Sequence, residues 1–144
     1  MTMGYISELF NEEEVTHAFE VIKQLRTHLT KDQYLDLVTD SIKDDGYRMF
    51  GMYEGSEIVA VLAFQPMTTL YYGRYIWITD LVVDEAWRSK DYGARLLSYI
   101  ETWAEEQGYD CIALSSDLKK ERAHQFYTDK MDYDKVSYVF KKSL

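Results

Sequence analysis

The chain has one cysteine, Cys111, one proline, Pro66, and seven glycines among its 144 residues. A single cysteine excludes an intrachain disulfide and a cysteine zinc site, and it makes a reducing cytoplasm the expected compartment. So few prolines and glycines exclude a linker-rich or low-complexity chain. No apolar run is long enough to span a bilayer, so no membrane partner is expected. Glu12, Glu13 and Glu14 stand where a signal peptide would need a basic and then apolar layout, so no leader is expected. Basic residues are also short, 16 against 25 acidic ones. The resulting net charge of −9 argues against a nucleic-acid partner, which requires phosphate neutralisation.

What remains is the composition of one globular domain over residues 1–144, with 47% hydrophobic and 28% charged residues. The charge is uneven. Residues 1–72 carry 12 acidic and 5 basic side chains, residues 73–144 carry 13 and 11, and Lys119–Lys142 alone carries 7 basic against 4 acidic. An anionic ligand is better received by the second half and a cationic one by the first. Ordinary solvated helix faces account for the same counts.

Hydrophobic spacing lays out the elements. Tyr5–Leu9 alternates weakly as a first strand. Val15, Ala18, Phe19, Ile22, Leu25 and Leu29 recur at helical spacing. Thr30 followed by Gln33 has the form of a capping box for a second helix that stops near Gly46. Met49–Tyr53 and Ile58–Phe64 flank Glu54-Gly55-Ser56 as a hairpin, with Pro66 ending or bending the second strand. Tyr71-Tyr72-Gly73 turns the chain into Tyr75–Val83, a strand rich in β-branched and aromatic residues and expected to be buried on both faces. Gly93–Gln107 reads as a helix stopped by Gly108. Cys111–Leu114 reads as a short buried strand with Cys111 in the core, Arg122–Lys130 as a short helix, and Val136–Phe140 as a last strand. The order predicts an α/β fold of α+β character, a mixed sheet with helices on both faces.

The most informative segment is Ile76–Ser116: an apolar strand, the basic loop Arg88-Ser89-Lys90-Asp91-Tyr92-Gly93-Ala94, an amphipathic helix and a strand. A helix start offers unpaired amides and the positive end of a macrodipole, which suits a phosphate group. Arg88, Lys90 and Arg95 add positive charge. Asp91 has the opposite sign and occupies a place where close backbone approach favours glycine. A charged surface loop before a helix has the same local sequence.

Ile78-Thr79-Asp80-Leu81-Val82-Val83-Asp84, followed by Arg88 to Ala94, resembles the acetyl-CoA-binding segment of the GNAT N-acetyltransferase superfamily. Arg88, Gly93 and Ala94 match its pattern, and Asp91 replaces the first glycine. Arg122-Ala123-His124-Gln125-Phe126-Tyr127 resembles the second family signature, an Ala-His-x-Phe-Tyr helix. Asp132-Tyr133 stands near the place of the Gly-Phe that commonly follows. The resemblance covers essentially the whole chain. It implies a central, mostly antiparallel sheet of about six to seven strands with a splayed central pair, flanked by about four helices.

The same resemblance implies acetyl-CoA as cosubstrate. Its pantetheine arm would pair with the backbone of Leu81, Val82 and Val83, and its pyrophosphate would rest on Arg88, Ser89, Lys90, Asp91, Tyr92, Gly93 and Ala94. The Asp91 carboxylate would repel a pyrophosphate unless it points away or pairs with Lys90 or Arg95; one uncompensated exposed charge about 5–8 Å away costs on the order of 1 kcal/mol, several-fold in affinity. Tyr127 is placed by the resemblance near the thioester sulfur, as a general acid. His124, three residues earlier on one helix face, is a candidate for holding the tyrosine or the cofactor, against simple packing or a hydrogen bond to the sheet. Asp80 is the candidate general base. Alternation groups it with Ile76, Ile78 and Val82, and a structural hydrogen bond is its competing assignment. No metal site is visible.

The implied activity is acetyl transfer to a primary amine by direct attack. The acceptor is a small-molecule or peptide amine, cationic if the acidic first half lines its site. The alternative is a non-catalytic acyl-CoA-binding or regulatory module of the same fold, weakened by Asp91, with a homodimer left open.

Overall fold

In the computed structural model, which describes residues 4–144, the first helices begin where side chains satisfy the orphan amides of their first turns. Helix α1 (Glu12–Leu25) starts at Asn11, whose Oδ1 accepts from Glu14 N at 2.8 Å while the Glu14 side chain reaches back to Asn11 N. Helix α2 (Lys31–Asp44) starts at Thr30 with the expected box: Gln33 N donates to Thr30 Oγ1 at 3.2 Å, and Thr30 N to Gln33 Oε1 at 3.0 Å. Glu12, Glu13 and Glu14 occupy the first turn of α1, where the macrodipole favours acids.

The chain divides into two compact units, one ending at Ala113 and the other running Leu114–Leu144. The first holds α1 and α2 with strands β1 (Tyr5–Leu9), β2 (Arg48–Glu54), β3 (Glu57–Thr69) and β4 (Gly73–Val83), then α3 (Tyr92–Glu106) and the start of β5 (Cys111–Leu114). The sheet order is β1-β2-β3-β4-β5, and the first three ladders are antiparallel. Five strands among the described residues is fewer than expected. Residues 136–140 form no strand: Val136, Tyr138, Val139 and Phe140 are exposed, and an extended segment without a ladder partner gains nothing from its alternation.

Strand β3 runs through Pro66 to Thr69 instead of ending there. Its ladder with β2 stops at Phe64, so the missing proline N–H removes no bond from that side, while Pro66 still faces Ile76 across β4. Strand β5 is less buried than expected, and Cys111 is exposed, because this strand is the last in the sheet order. It is tied to the beginning of β4, where Asp110 N donates to Arg74 O at 2.8 Å and Arg74 N donates to Asp110 Oδ2 at 3.1 Å.

One irregularity decides which face each β4 residue joins. Ala63 pairs with Asp80 and Phe64 with Ile78, leaving Thr79 unpaired as a bulge. Cross-strand partners share a face, and Ala63 and Phe64 point to opposite faces. Ile76 and Ile78 therefore lie with Phe64, which packs on Trp103 of α3 with ring centroids 5.2 Å apart. Asp80 and Val82 lie with Ala63 and Val61 on the other face. There Val61, Ala63 and Val82 share a buried cluster with Val15, Phe19 and Ile22 of α1 and Tyr34 and Val38 of α2. The expected grouping of Asp80 with Ile76 and Ile78 fails because simple alternation cannot anticipate the extra residue.

Helix α2 gives way at Gly46, in a left-handed conformation with φ +71°, where an added Cβ would stand 3.1 Å from Pro66 Cγ. Gly46→Ala should therefore lose about 1–2 kcal/mol, from the left-handed backbone alone. Urea denaturation reads this as a lower midpoint at unchanged slope; an unchanged midpoint would show that the turn relaxes freely.

Candidate active site

Asp80 emerges from the bulge toward the end of α1. Arg26, the residue that caps that helix, donates from Nε to Asp80 Oδ1 at 2.7 Å and from Nη2 to Thr79 O at 2.8 Å. The Asp80 side chain is only 15% exposed. Two buried tyrosines complete its surroundings. Tyr34 of α2 donates from its hydroxyl to Val15 O at 2.7 Å, and Tyr47, before β2, is buried beside it. Burial pushes both phenols well above their ordinary range, and the Asp80 charge pushes them further in the same direction. The result is a cluster of one largely buried carboxylate, one half-exposed guanidinium and two buried phenols.

Two residues earlier on α1, Gln24 holds the strand exit. Its Nε2 donates to Asp84 Oδ2 at 3.1 Å and its Oε1 accepts from Glu85 N at 2.9 Å. Asp84 also caps the 3₁₀ turn Glu85–Trp87, its Oδ1 accepting from Ala86 N at 2.9 Å. The chain therefore enters the basic loop from a fixed direction.

The loop turns sharply ahead of α3. Ser89 and Asp91 are left-handed, with φ +68° and +69°, and Asp91 is the N-cap residue of α3, making no side-chain cap bond. Asp91 thus adopts the conformation that glycine favours, as an aspartate can. By helix geometry the amides of Tyr92, Gly93 and Ala94 have no partner inside α3 and sit at its positive end. Arg88, Ser89, Lys90 and Asp91 are exposed, while Tyr92 and Ala94 are buried and anchor the loop. Tyr92 packs edge-on to Trp87 at 6.3 Å. Of the three basic residues, Arg95 is directed elsewhere: its Nη2 donates to Gly4 O at 2.9 Å.

Leu81, Val82 and Val83 pair with Leu62, Val61 and Ala60 of β3. Alternate backbone groups along this stretch point away from β3, on the side of β5. Strand β5 is tied to β4 at Arg74, the opposite end of the strand.

Within the second unit, helix α4 (Glu121–Gln125) continues as a π-turn, Phe126–Lys130. Tyr127 is flanked by the rings of Phe126 and Tyr133, at 5.2 and 5.9 Å, and burial pushes its phenol up to about 12. His124 Nε2 lies 2.8 Å from Asp117 O; since a carbonyl only accepts, this nitrogen carries the proton and ties the ring to its own loop. Asp132 follows the helix with φ +65°, so here too an aspartate adopts a left-handed turn.

The structure gathers Leu81 to Val83 on one strand end and Arg88 to Ala94 in one loop, and it surrounds Asp80 with residues the motifs do not include. Arg26, Gln24, Tyr34 and Tyr47 carry no sequence signal of function.

A model of the acetyltransferase (GNAT) family matches residues 6–133. A Bacillus subtilis (strain 168) protein described as the uncharacterized N-acetyltransferase YhdJ is 36% identical over 140 residues, 97% of this chain and 99% of its own length. Among solved structures, the aminoglycoside N-acetyltransferase AAC(6')-Iy in complex with CoA superposes with a TM-score of 0.85 at 12% identity, covering 99% of this chain and 96% of that one. A transcriptional regulator from Bacillus halodurans C-125 superposes with a TM-score of 0.84 at 20% identity, covering 99% and 100%.

The raised phenols carry a pH dependence. A tyrosine whose folded pKa lies above its free value favours folding below that free value, 10.0, and loses the contribution as pH rises through the folded one, about 12 for Tyr127. Absorbance titration at 295 nm should show a late-ionising class of tyrosines that coincides with alkaline unfolding. Tyr47→Phe should shrink that class by one phenol; an undiminished class would mean Tyr47 is open to solvent.

Proposed function

The chain belongs to the acetyltransferase (GNAT) family, whose members are acetyl-CoA-dependent acyltransferases, and from that premise we propose that it moves the acetyl group of acetyl-CoA to a cationic primary amine. The observation that carries this reading is the backbone of the loop opening α3. Ser89 and Asp91 take left-handed conformations there, so the amides of Tyr92, Gly93 and Ala94 are presented although the family glycine is absent. Arg88 and Lys90 supply charge beside them. Backbone groups of Leu81, Val82 and Val83 hold the pantetheine arm and polarise the thioester carbonyl, a contribution of order 10²–10³ in rate for one well-placed donor.

The amine nitrogen attacks the acetyl carbon directly, forming the new C–N bond; the C–S bond then breaks and CoA leaves as its thiolate. Asp80 takes the proton that the amine must lose, directly or through water. Tyr127 serves the departing sulfur. Its burial keeps the phenol protonated at neutral pH. Complete transfer from a phenol near 12 to a thiolate of ordinary pKa, about 8.5, is uphill. Tyr127 therefore acts first as a hydrogen-bond donor as charge builds on sulfur. The His124 ring, bonded to Asp117 O, steadies the turn that carries this tyrosine.

A cationic acceptor is supported by the acidic first half, by Asp80 and by the aminoglycoside substrate in the name of one structural relative. Tyr71 and Tyr72, packed edge-on at 4.6 Å with Tyr71 exposed in the β3–β4 turn, offer an aromatic face to such a cation.

Calorimetric titration with acetyl-CoA, followed by thiol release with a panel of amines, tests this reading. Sisomicin, an aminoalkylphosphonate and a lysine peptide make a suitable panel. Binding together with turnover of at least one amine is expected, and Tyr127→Phe should lower kcat by roughly 10²-fold. No binding at millimolar acetyl-CoA would overturn the assignment. Binding without thiol release would favour a regulatory module. Asp91→Gly should tighten acetyl-CoA several-fold, about 1 kcal/mol, by removing a like charge from the cradle; unchanged affinity would mean that this carboxylate points away from the phosphates.

A further inference from the structure

Arg26 belongs to no motif, yet it makes the closest polar contact to the candidate base. Its guanidinium spans two consecutive residues of the bulge, with Nε on Asp80 Oδ1 and Nη2 on Thr79 O, 2.7 and 2.8 Å away. This fork fixes both the carboxylate and the carbonyl beside it. A lysine ammonium, as a point charge, cannot reproduce that pair of directions.

The Arg26 side chain is 40% exposed, so solvent screens its end of the ion pair. Buried Val15, Ala18, Phe19, Val21 and Ile22 hold α1 on the sheet. Asp80 is the more deeply placed partner. The groups facing it are Arg26 from α1, Tyr34 from α2, Tyr47 ahead of β2 and Thr79 beside it, with Ala63 opposite on β3. Arg26 is the one cation of that set. Without it, a largely buried carboxylate would be left without its counter-ion.

We propose that Arg26 is a positioning residue for Asp80: it fixes Oδ1 and leaves Oδ2 to meet the ammonium of the acceptor. This rests on the acetyltransferase reading above. It also gives the end of α1 two tasks, since Gln24 of the same turn holds Asp84 and Glu85 at the entry to the cradle.

The test is the pH profile of kcat for Arg26→Gln, Arg26→Lys and Asp80→Asn, with the panel amine that releases thiol fastest. Thermal melts accompany it to confirm that each variant is folded. Arg26→Gln should move the acidic limb upward by about one pH unit, because the carboxylate loses its counter-ion. Arg26→Lys should leave the limb in place while lowering kcat, because charge is kept and the fork is lost. Asp80→Asn should remove the limb. An Arg26→Gln limb that coincides with the wild type, while Asp80→Asn has lost it, overturns the role of Arg26 alone. A limb that survives in Asp80→Asn overturns the role of both residues. Absence of turnover in the wild type overturns the acetyltransferase reading and this inference with it.

Discussion

The bulge at Thr79 sets the chemistry of strand β4. Before it, Ile76 and Ile78 pack toward α3; after it, Asp80 and Val82 turn toward α1 and α2. An uninterrupted strand would have placed Asp80 on the α3 side, among Phe64 and Trp103. There a carboxylate would lie among aromatic rings and out of reach of Arg26. With one extra residue the same carboxylate meets Arg26, and the Thr79 carbonyl accepts a second bond from the same guanidinium.

The end of α1 depends on that geometry. Its core-facing residues fix the helix against the sheet, and its last turn then carries two polar anchors in opposite roles. Gln24 secures the backbone that leads into the Arg88–Ala94 loop, and Arg26 secures the Asp80 carboxylate. Both anchors therefore sit on one rigid element. Asp91 before α3 and Asp132 after the π-turn each take a left-handed conformation.

Much of the architecture was legible because its signals are local. The Thr30–Gln33 box, the Glu54–Ser56 turn and the stop at Gly108 each depend on a few neighbouring residues. Signals that depend on distant partners were not legible in the same way. Pro66 suggested a strand end, but β2 stops short on that side and the strand continues. Residues 136–140 alternate like a strand, yet alternation describes a surface to be covered and does not supply the backbone that would pair with it. Cys111 read as core by residue type and is exposed because β5 closes the sheet order.

The candidate site divides along the same line. By itself the sequence determined the loop Arg88 to Ala94 and the residues Asp80, His124 and Tyr127, because motif spacing is a property of the chain in order. Tertiary structure alone decided what each of these can do. The side of the sheet on which Asp80 emerges, its pairing with Arg26, the raised phenols of Tyr34 and Tyr47, and the diversion of Arg95 to Gly4 follow from contacts between segments far apart in sequence. Charge, burial and hydrogen bonding act through space, and a one-residue bulge is enough to reassign them.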